Sequence, residues 1–62
     1  MPVIKVECAA MNVETKEKLI KSLTQTASSI MEIPEAAYIV LLNEMSKDNI
    51  GVGGEMLSKK QR

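Results

Sequence analysis

The spacing of apolar positions changes along the chain, and the change predicts a strand followed by a helix. In residues 2–8, the apolar side chains Ile4, Val6 and Cys8 recur at every second position, which is the period of a β-strand. Over residues 13–32 the apolar positions recur at steps of three and four, which is the spacing of one face of a helix. That apolar stripe consists of Leu19, Ile20, Leu23, Ala27, Ile30 and Met31.

Residues at both ends of the predicted helix mark where it begins and stops. Asn12 suits the N-cap position, because its side-chain oxygen can accept a hydrogen bond from a free backbone N–H. The negative charge of Glu14 in the first turn is stabilised by the positive end of the helix dipole. Pro34 lacks an N–H and disfavours helical dihedral angles at Ile33. We therefore predict that the helix ends at about Glu32.

Residues 38–45 predict a second strand that is covered on both faces. They read Tyr-Ile-Val-Leu-Leu-Asn-Glu-Met, and the apolar run at their start does not alternate with polar residues. A strand, a long helical crossover and a strand indicate a right-handed βαβ unit with parallel strands. The glycine-rich segment at residues 51–54 predicts a short hairpin or a bulged strand. The fold class is therefore α/β, with a single domain over residues 2–62.

The length of the chain, 62 residues, limits how much core it can bury. A domain of this size buries only about 60% of the surface that its unfolded chain exposes, so natural chains of this length add disulfides, metals or oligomerisation. The single cysteine, Cys8, excludes an internal disulfide, and the absence of histidine and of clustered cysteines argues against a structural metal. Because one helix covers only one face of a sheet, we expect another subunit to cover the other face.

Composition narrows the possible partners. Eight basic and eight acidic residues give a formal net charge of +0, whereas a nucleic-acid-binding protein usually has a basic surplus. The apolar run at residues 38–42 is too short to span a bilayer, and the first residues lack the apolar core of a signal peptide. We therefore expect a cytoplasmic protein with no nucleic-acid or membrane partner.

Few residues are candidates for chemistry. Without histidine, no serine or threonine can be activated in a Ser-His arrangement. Glu44, at the end of the second strand, is more often an exposed or hydrogen-bonded carboxylate than a general base. Cys8 lies on an apolar face and is most simply a small packing residue. The glycines at residues 51–54 lack the Lys-Ser/Thr ending of a phosphate loop.

Pro2 is the remaining candidate, because it directly follows the initiator methionine. Removal of Met1 would expose a secondary amine at the edge of a strand. An ordinary α-amino group has a pKa of about 7.7–8.0, and apolar surroundings lower that value. An amine that is neutral near pH 7 serves as a general base without histidine, or as a nucleophile toward carbonyls.

The chain resembles the 4-oxalocrotonate tautomerase family over residues 2–62. The resemblance is carried by the Met-Pro-x-Ile-x-Val start, Glu14-Thr15-Lys16-Glu17-Lys18-Leu19-Ile20, Pro34, Val40-Leu41-Leu42-Asn43-Glu44-Met45, Lys47, Gly51-Val52-Gly53-Gly54-Glu55 and Ser58-Lys59. It implies a βαβ fold with a short C-terminal hairpin. It also implies a homohexamer, built as a trimer of dimers, with the helices outside and the sheets paired within. We expect neither a cofactor nor a metal.

The resemblance also implies an isomerase, in which the N-terminal proline moves a proton on an enol or unsaturated 2-keto acid. This role falls to Pro2. The sequence departs from the family where arginines hold the substrate. The loop after the first strand, residues 9–12, is one residue shorter and carries no cation. Ile39 occupies the position of the arginine in the central strand, and Ile50 that of an aromatic wall residue. Both isoleucines are therefore candidate substrate-binding residues, although packing in the core explains them equally well.

Three interpretations of the missing arginines remain open. The substrate is less charged and more apolar, with Ile39 and Ile50 lining the pocket. Alternatively, Lys5, Lys47 or a neighbour's Arg62 replaces the lost cation. As a third alternative, the chain is a non-catalytic or accessory subunit that assembles with an arginine-bearing partner. A monomer in solution would instead favour a binding module that uses a sheet edge.

Overall fold

The computed structural model describes residues 1–60, which form a parallel two-stranded sheet, a long crossing helix and a small hairpin. In chain order the elements are β1 (Val3–Ala9), α1 (Val13–Met31), β2 (Ile39–Met45), β3 (Gly51–Val52), β4 (Glu55–Met56) and the short helix α2 (Leu57–Lys60). Single 3₁₀ turns at Glu35–Ala37 and Lys47–Asn49 precede and follow β2. The predicted βαβ unit and the predicted C-terminal hairpin are confirmed.

The sheet has one covered face and one open face. β1 and β2 pair in parallel, in a register that runs from Val3 opposite Ile39 to Ala9 opposite Met45. Side chains at alternate positions of both strands are half-buried on the side of α1, and those between them are exposed. We call the exposed side the open face. It carries Val3, Lys5 and Glu7 from β1 and Ile39, Leu41, Asn43 and Met45 from β2.

The alternation of exposure in β2 explains why its apolar run does not alternate in sequence. Val40 and Leu42 are half-buried on the α1 side, whereas Ile39 and Leu41 are 37% and 44% exposed on the open face. Apolar side chains on both faces are typical of a strand that is buried on both sides. A single chain covers only one of those faces.

Both ends of α1 are fixed by local hydrogen bonds. The Asn12 side chain accepts a hydrogen bond from the backbone N–H of Thr15 at 2.8 Å, which confirms the predicted N-cap. At the other end, Glu32 adopts a left-handed conformation (φ 60°, ψ 42°), and its N–H donates to the Ser28 carbonyl. The Ser28 hydroxyl donates to the Ile33 carbonyl at 2.6 Å. The helix therefore ends one residue before the predicted Glu32, which serves as its cap.

The hairpin depends on two consecutive glycines. Gly53 and Gly54 have positive φ angles of 63° and 87°, as the two central residues of a type I′ turn require. The backbone N–H of Leu57 donates to the Ile50 carbonyl at 2.7 Å, which joins the start of α2 to the residue before β3. The basic residues Lys59 and Lys60 lie in this helical turn. Arg62, a candidate replacement for the missing cation, lies outside the described residues.

The isolated chain exposes far more surface than a compact protein of its mass. Within the described residues none is fully buried, and the accessible surface is 4931 Å². A compact monomer of 6.8 kDa exposes about 4,000 Å². The radius of gyration is 14.9 Å, against about 11 Å for a compact domain of this length. The open face and the extended shape leave the hydrophobic core incomplete within one chain.

Replacing Glu32 by glycine should stabilise the fold, because a side chain in the left-handed conformation is sterically strained. We expect Glu32→Gly to raise the free energy of unfolding by about 1 kcal/mol, measured by urea denaturation. Glu32→Ala is the matched control, since it removes the same carboxylate but keeps Cβ. A Glu32→Gly variant no more stable than Glu32→Ala would contradict this account of the cap.

Candidate active site

Pro2 lies immediately before β1, at the edge of the sheet where both parallel strands begin. It is half-buried, and its carbonyl accepts a hydrogen bond from the backbone N–H of Ile39 at 3.0 Å. This bond fixes Pro2 beside the first residue of β2. We call this edge, with Pro2, Val3 and Ile39, the Pro2 edge. Two of the three predicted site residues, Pro2 and Ile39, are therefore adjacent.

The open face next to the Pro2 edge is apolar. Val3 is 50% exposed, and its register partner is Ile39. Leu41 follows on the same face of β2. A ligand bound at the Pro2 edge would contact these hydrocarbon side chains. A second subunit seated on this face would enclose it and exclude water.

Ile50 lies at the opposite end of the sheet in the same chain. It is half-buried and lines a cleft of about 480 Å³ at the carboxyl ends of the strands. The cleft is also lined by Glu7, Cys8, Ala9, Asn43 and Met45. The length of β1 separates this cleft from Pro2, and seven strand residues span about 20 Å. The structure does not bring Ile50 to Pro2 within one chain, so only the Ile50 of another copy could reach the Pro2 edge.

Glu44 has a structural role. Its Oε1 is 2.8 Å from Lys16 Nζ, and its Oε2 accepts a hydrogen bond from the backbone N–H of Met11 at 2.7 Å. The hydrogen bond from Lys16, followed by that from Met11, holds the pKa of the Glu44 carboxyl below its usual value. We call these three residues the Glu44 clip. The clip joins β2 to the loop after β1 and to the first turn of α1.

The Glu44 clip was not predicted from the sequence. Glu44 was expected to be an exposed or hydrogen-bonded carboxylate, but Lys16 and Met11 were not identified as its partners. A signal was nevertheless present. In a parallel βαβ unit the helix starts near the carboxyl ends of the strands, so a lysine in its first turns lies close to a carboxylate at the end of β2.

The cations of the described residues are distributed unevenly. Lys16 is held by Glu44, and Lys60 lies 3.8 Å from Glu55. Lys47 is half-buried in the turn after β2, at the end of the sheet remote from Pro2. Lys5 lies on the open face of β1, the strand that begins at the Pro2 edge. Of the three cations that sequence analysis offers as replacements, Lys5 is therefore the one on the strand that Pro2 precedes.

Residues 1–60 contain neither a metal-binding cluster nor a membrane-spanning helix. No group of three or more histidine, cysteine, aspartate or glutamate side chains in this range is arranged to hold a metal ion. No helix within the range has the length and apolarity needed to cross a membrane.

Comparison with known proteins establishes the family. A family model described as "Tautomerase enzyme" matches residues 2–60. The chain belongs to the tautomerase family. This confirms the resemblance carried by the residues at the start, in the helix and in β2.

Individual relatives agree with the family assignment. The chain is 37% identical over 51 residues to 2-hydroxymuconate tautomerase from Pseudomonas putida, covering 82% of this chain and 81% of the relative. It is 38% identical over 47 residues to a probable tautomerase from Bacillus cereus, covering 76% and 77% of the two chains. The crystal structure of a 4-oxalocrotonate tautomerase homologue superposes with a TM-score of 0.89 at 32% identity, over the full length of both chains.

Removing the carboxylate of Glu44 should destabilise the fold in a pH-dependent way. The folded-state pKa of this carboxyl lies below its ordinary value. The clip therefore adds stability above that value and loses it as the pH falls through the folded-state pKa. We expect Glu44→Gln to lower the urea midpoint at pH 7, and the difference from the unmodified protein to shrink below about pH 4.

Glu55→Gln is the matched control, because Glu55 is exposed and its contact with Lys60 is longer. Its urea midpoint should change little at any pH. A Glu44→Gln deficit that stayed constant down to pH 3 would contradict the assigned role of the carboxylate charge.

Proposed function

We propose that this chain is a keto–enol tautomerase in which the secondary amine of Pro2, freed by removal of Met1, is the general base. The neutral amine takes a proton from the hydroxyl oxygen of an enol, or from a carbon of an unsaturated 2-keto acid, and returns it to a different carbon of the same molecule, so that no atom is gained or lost. The observation that carries the proposal is the position of Pro2, held beside Ile39 at an apolar sheet edge. Membership of the tautomerase family supports the reaction type.

The surroundings of Pro2 favour a neutral amine. Val3, Ile39 and Leu41 offer hydrocarbon surface and no charge to stabilise an ammonium ion. Once a neighbouring subunit excludes water, the apolar surface disfavours the charged form and lowers the amine pKa. The base would then be unprotonated at neutral pH.

The same side chains point to an apolar substrate. Ile39 lies at the Pro2 edge in place of a charged side chain, and we propose that it contacts the non-reacting part of the substrate. Ile50 would contribute a second apolar wall, supplied by a neighbouring copy because it lies at the far end of its own sheet. The name of the Pseudomonas relative, 2-hydroxymuconate tautomerase, is consistent with an enol acid as the reacting group.

We propose that the chain self-associates through the open face, as a homohexamer of paired sheets. The accessible surface of 4931 Å² exceeds that of a compact monomer by about 900 Å². A standard interface removes about 800 Å² from each partner, so the excess is of the size that one such interface removes. The apolar side chains Val3, Ile39, Leu41 and Met45 are suited to burial against a second copy.

A non-catalytic subunit is the second candidate function. The observation that favours it is the loss of positive charge, since the loop at residues 9–12 carries none and Ile39 is uncharged. Such a subunit would complete an oligomer without moving a proton. The activity of the chain alone distinguishes it from the enzyme.

Replacing Pro2 should abolish most of the activity. With Met1 removal first verified by intact mass spectrometry, we expect Pro2→Ala to lower kcat by about 100-fold or more, the contribution of a positioned base. The rate of conversion between enol and keto forms would be measured by absorbance, with phenylpyruvate and 2-hydroxymuconate as substrates. Pro34→Ala is the matched control, because Pro34 is exposed at the end of α1 and should retain the rate. A processed protein no faster than Pro2→Ala would favour the non-catalytic subunit.

A charge on the open face should disrupt assembly. We expect Met45→Glu to convert the oligomer to a monomer, because Met45 lies on the open face opposite the uncharged Ala9, and burial of an unpaired carboxylate between subunits costs several kcal/mol. Sedimentation and the dependence of the melting temperature on protein concentration would report the change. Ile30→Glu is the control, since Ile30 is exposed on α1 and should leave the assembly intact. An unmodified chain that sediments as a monomer would contradict the proposal and favour the binding module.

A further inference from the structure

Lys5 is a charged residue on a face that is otherwise largely apolar. It lies on the open face of β1, opposite Leu41 and one position along that face from Val3. No ion pair involves it within the described residues. A subunit seated on the open face would remove its ammonium group from water, and a buried cation requires an anionic partner.

Among the lysines of the described residues, Lys5 is the one that lies in the strand directly after Pro2. Two residues lie between Pro2 and Lys5, a separation of about 10 Å along an extended strand, and the flexible four-carbon stem of lysine can shorten that gap. Within residues 1–60, Lys16 is bound to Glu44, and Lys47 lies at the remote end of the sheet. Lys18 and Lys21 are exposed on α1, together with Glu14 and Glu17.

We propose that Lys5 binds the carboxylate of the substrate and makes the Pro2 site selective for acids with one carboxylate. This inference rests on the proposed function of Pro2. One ammonium group balances one carboxylate, which would lie between Lys5 and the base. A second carboxylate would contact Val3, Ile39 or Leu41, where no donor compensates for its lost hydration.

The remaining charge on the open face gives the substrate a direction. Glu7 lies one position beyond Lys5 on β1, farther from the Pro2 edge. Its carboxylate repels an anion from that side, so that the substrate carboxylate is favoured on the Pro2 side of Lys5.

The alternative partner for Lys5 is the Glu7 of a neighbouring copy. In that case the lysine would contribute to assembly and not to substrate binding.

Kinetics with a charged and a neutral form of one substrate test the proposal. With the processed full chain, we expect Lys5→Met to raise KM for phenylpyruvate about 10- to 100-fold, the loss of one charge-assisted hydrogen bond. The KM for methyl phenylpyruvate should not change, and Lys5→Arg should restore binding of the acid. Lys21→Met, on the exposed surface of α1, is the matched control and should behave as the unmodified protein.

Three results would overturn the proposal. One is an equal rise in KM for the acid and the ester. Another is failure of Lys5→Arg to restore binding. The third is loss of the oligomer in both Lys5→Met and Glu7→Gln by size-exclusion chromatography, which would assign Lys5 to an ion pair between subunits.

Equilibrium binding separates this proposal from the proposed function. Calorimetry would measure binding of phenylacetate, an unreactive monocarboxylate, to Pro2→Ala and to Pro2→Ala/Lys5→Met. We expect at least 10-fold weaker binding to the double variant. If binding depends on Lys5 but the processed protein is no faster than Pro2→Ala, the anion site stands and the catalytic role of Pro2 falls. If binding is equal in the two variants, the Lys5 proposal falls whatever the activity of Pro2.

Discussion

The structure depends on the fact that one helix cannot cover two faces of a sheet. α1 shields the side chains of β1 and β2 on one side, and the remaining side carries Val3, Ile39, Leu41 and Met45 exposed to solvent. None of residues 1–60 is fully buried. Because burial of apolar surface is the main favourable contribution to folding, this chain is stable to the extent that a partner completes its core. Because the Pro2 edge borders the open face, shielding of the candidate site from water also depends on cover of that face by a partner.

The loop after β1 is anchored to the sheet without a charged side chain of its own. Residues 9–12 carry no cation, yet the Glu44 clip holds the loop through the backbone N–H of Met11. Every residue except proline has a backbone N–H, so the loop would keep this anchor with any residue other than proline at position 11. The geometry of the fold is thus separated from the chemistry of substrate recognition, which the side chains alone provide.

The sequence predicted the elements better than it predicted the site. Alternation in β1, the apolar stripe of α1, the N-cap Asn12 and the helix-stopping Pro34 each act over a few residues, so local patterns sufficed for the βαβ unit. Glu44 and Met11 are 33 residues apart, and no local pattern shows that they meet. Pro2 and Ile39 became neighbours only through the parallel register. Ile50 lies at the far end of the sheet from Pro2, so a site that included both residues would need a second chain.

The hydrogen bond from Ile39 to the Pro2 carbonyl has a consequence for maturation of the chain terminus. Proline has no backbone N–H, so cleavage of Met1 breaks no hydrogen bond in which the Pro2 nitrogen is the donor. The Pro2 carbonyl stays anchored by Ile39, and the pyrrolidine ring restricts the position of the nitrogen relative to Cα. Trimming by an aminopeptidase would therefore expose a nitrogen that is already immobilised, with little conformational entropy left to lose when a reactant arrives.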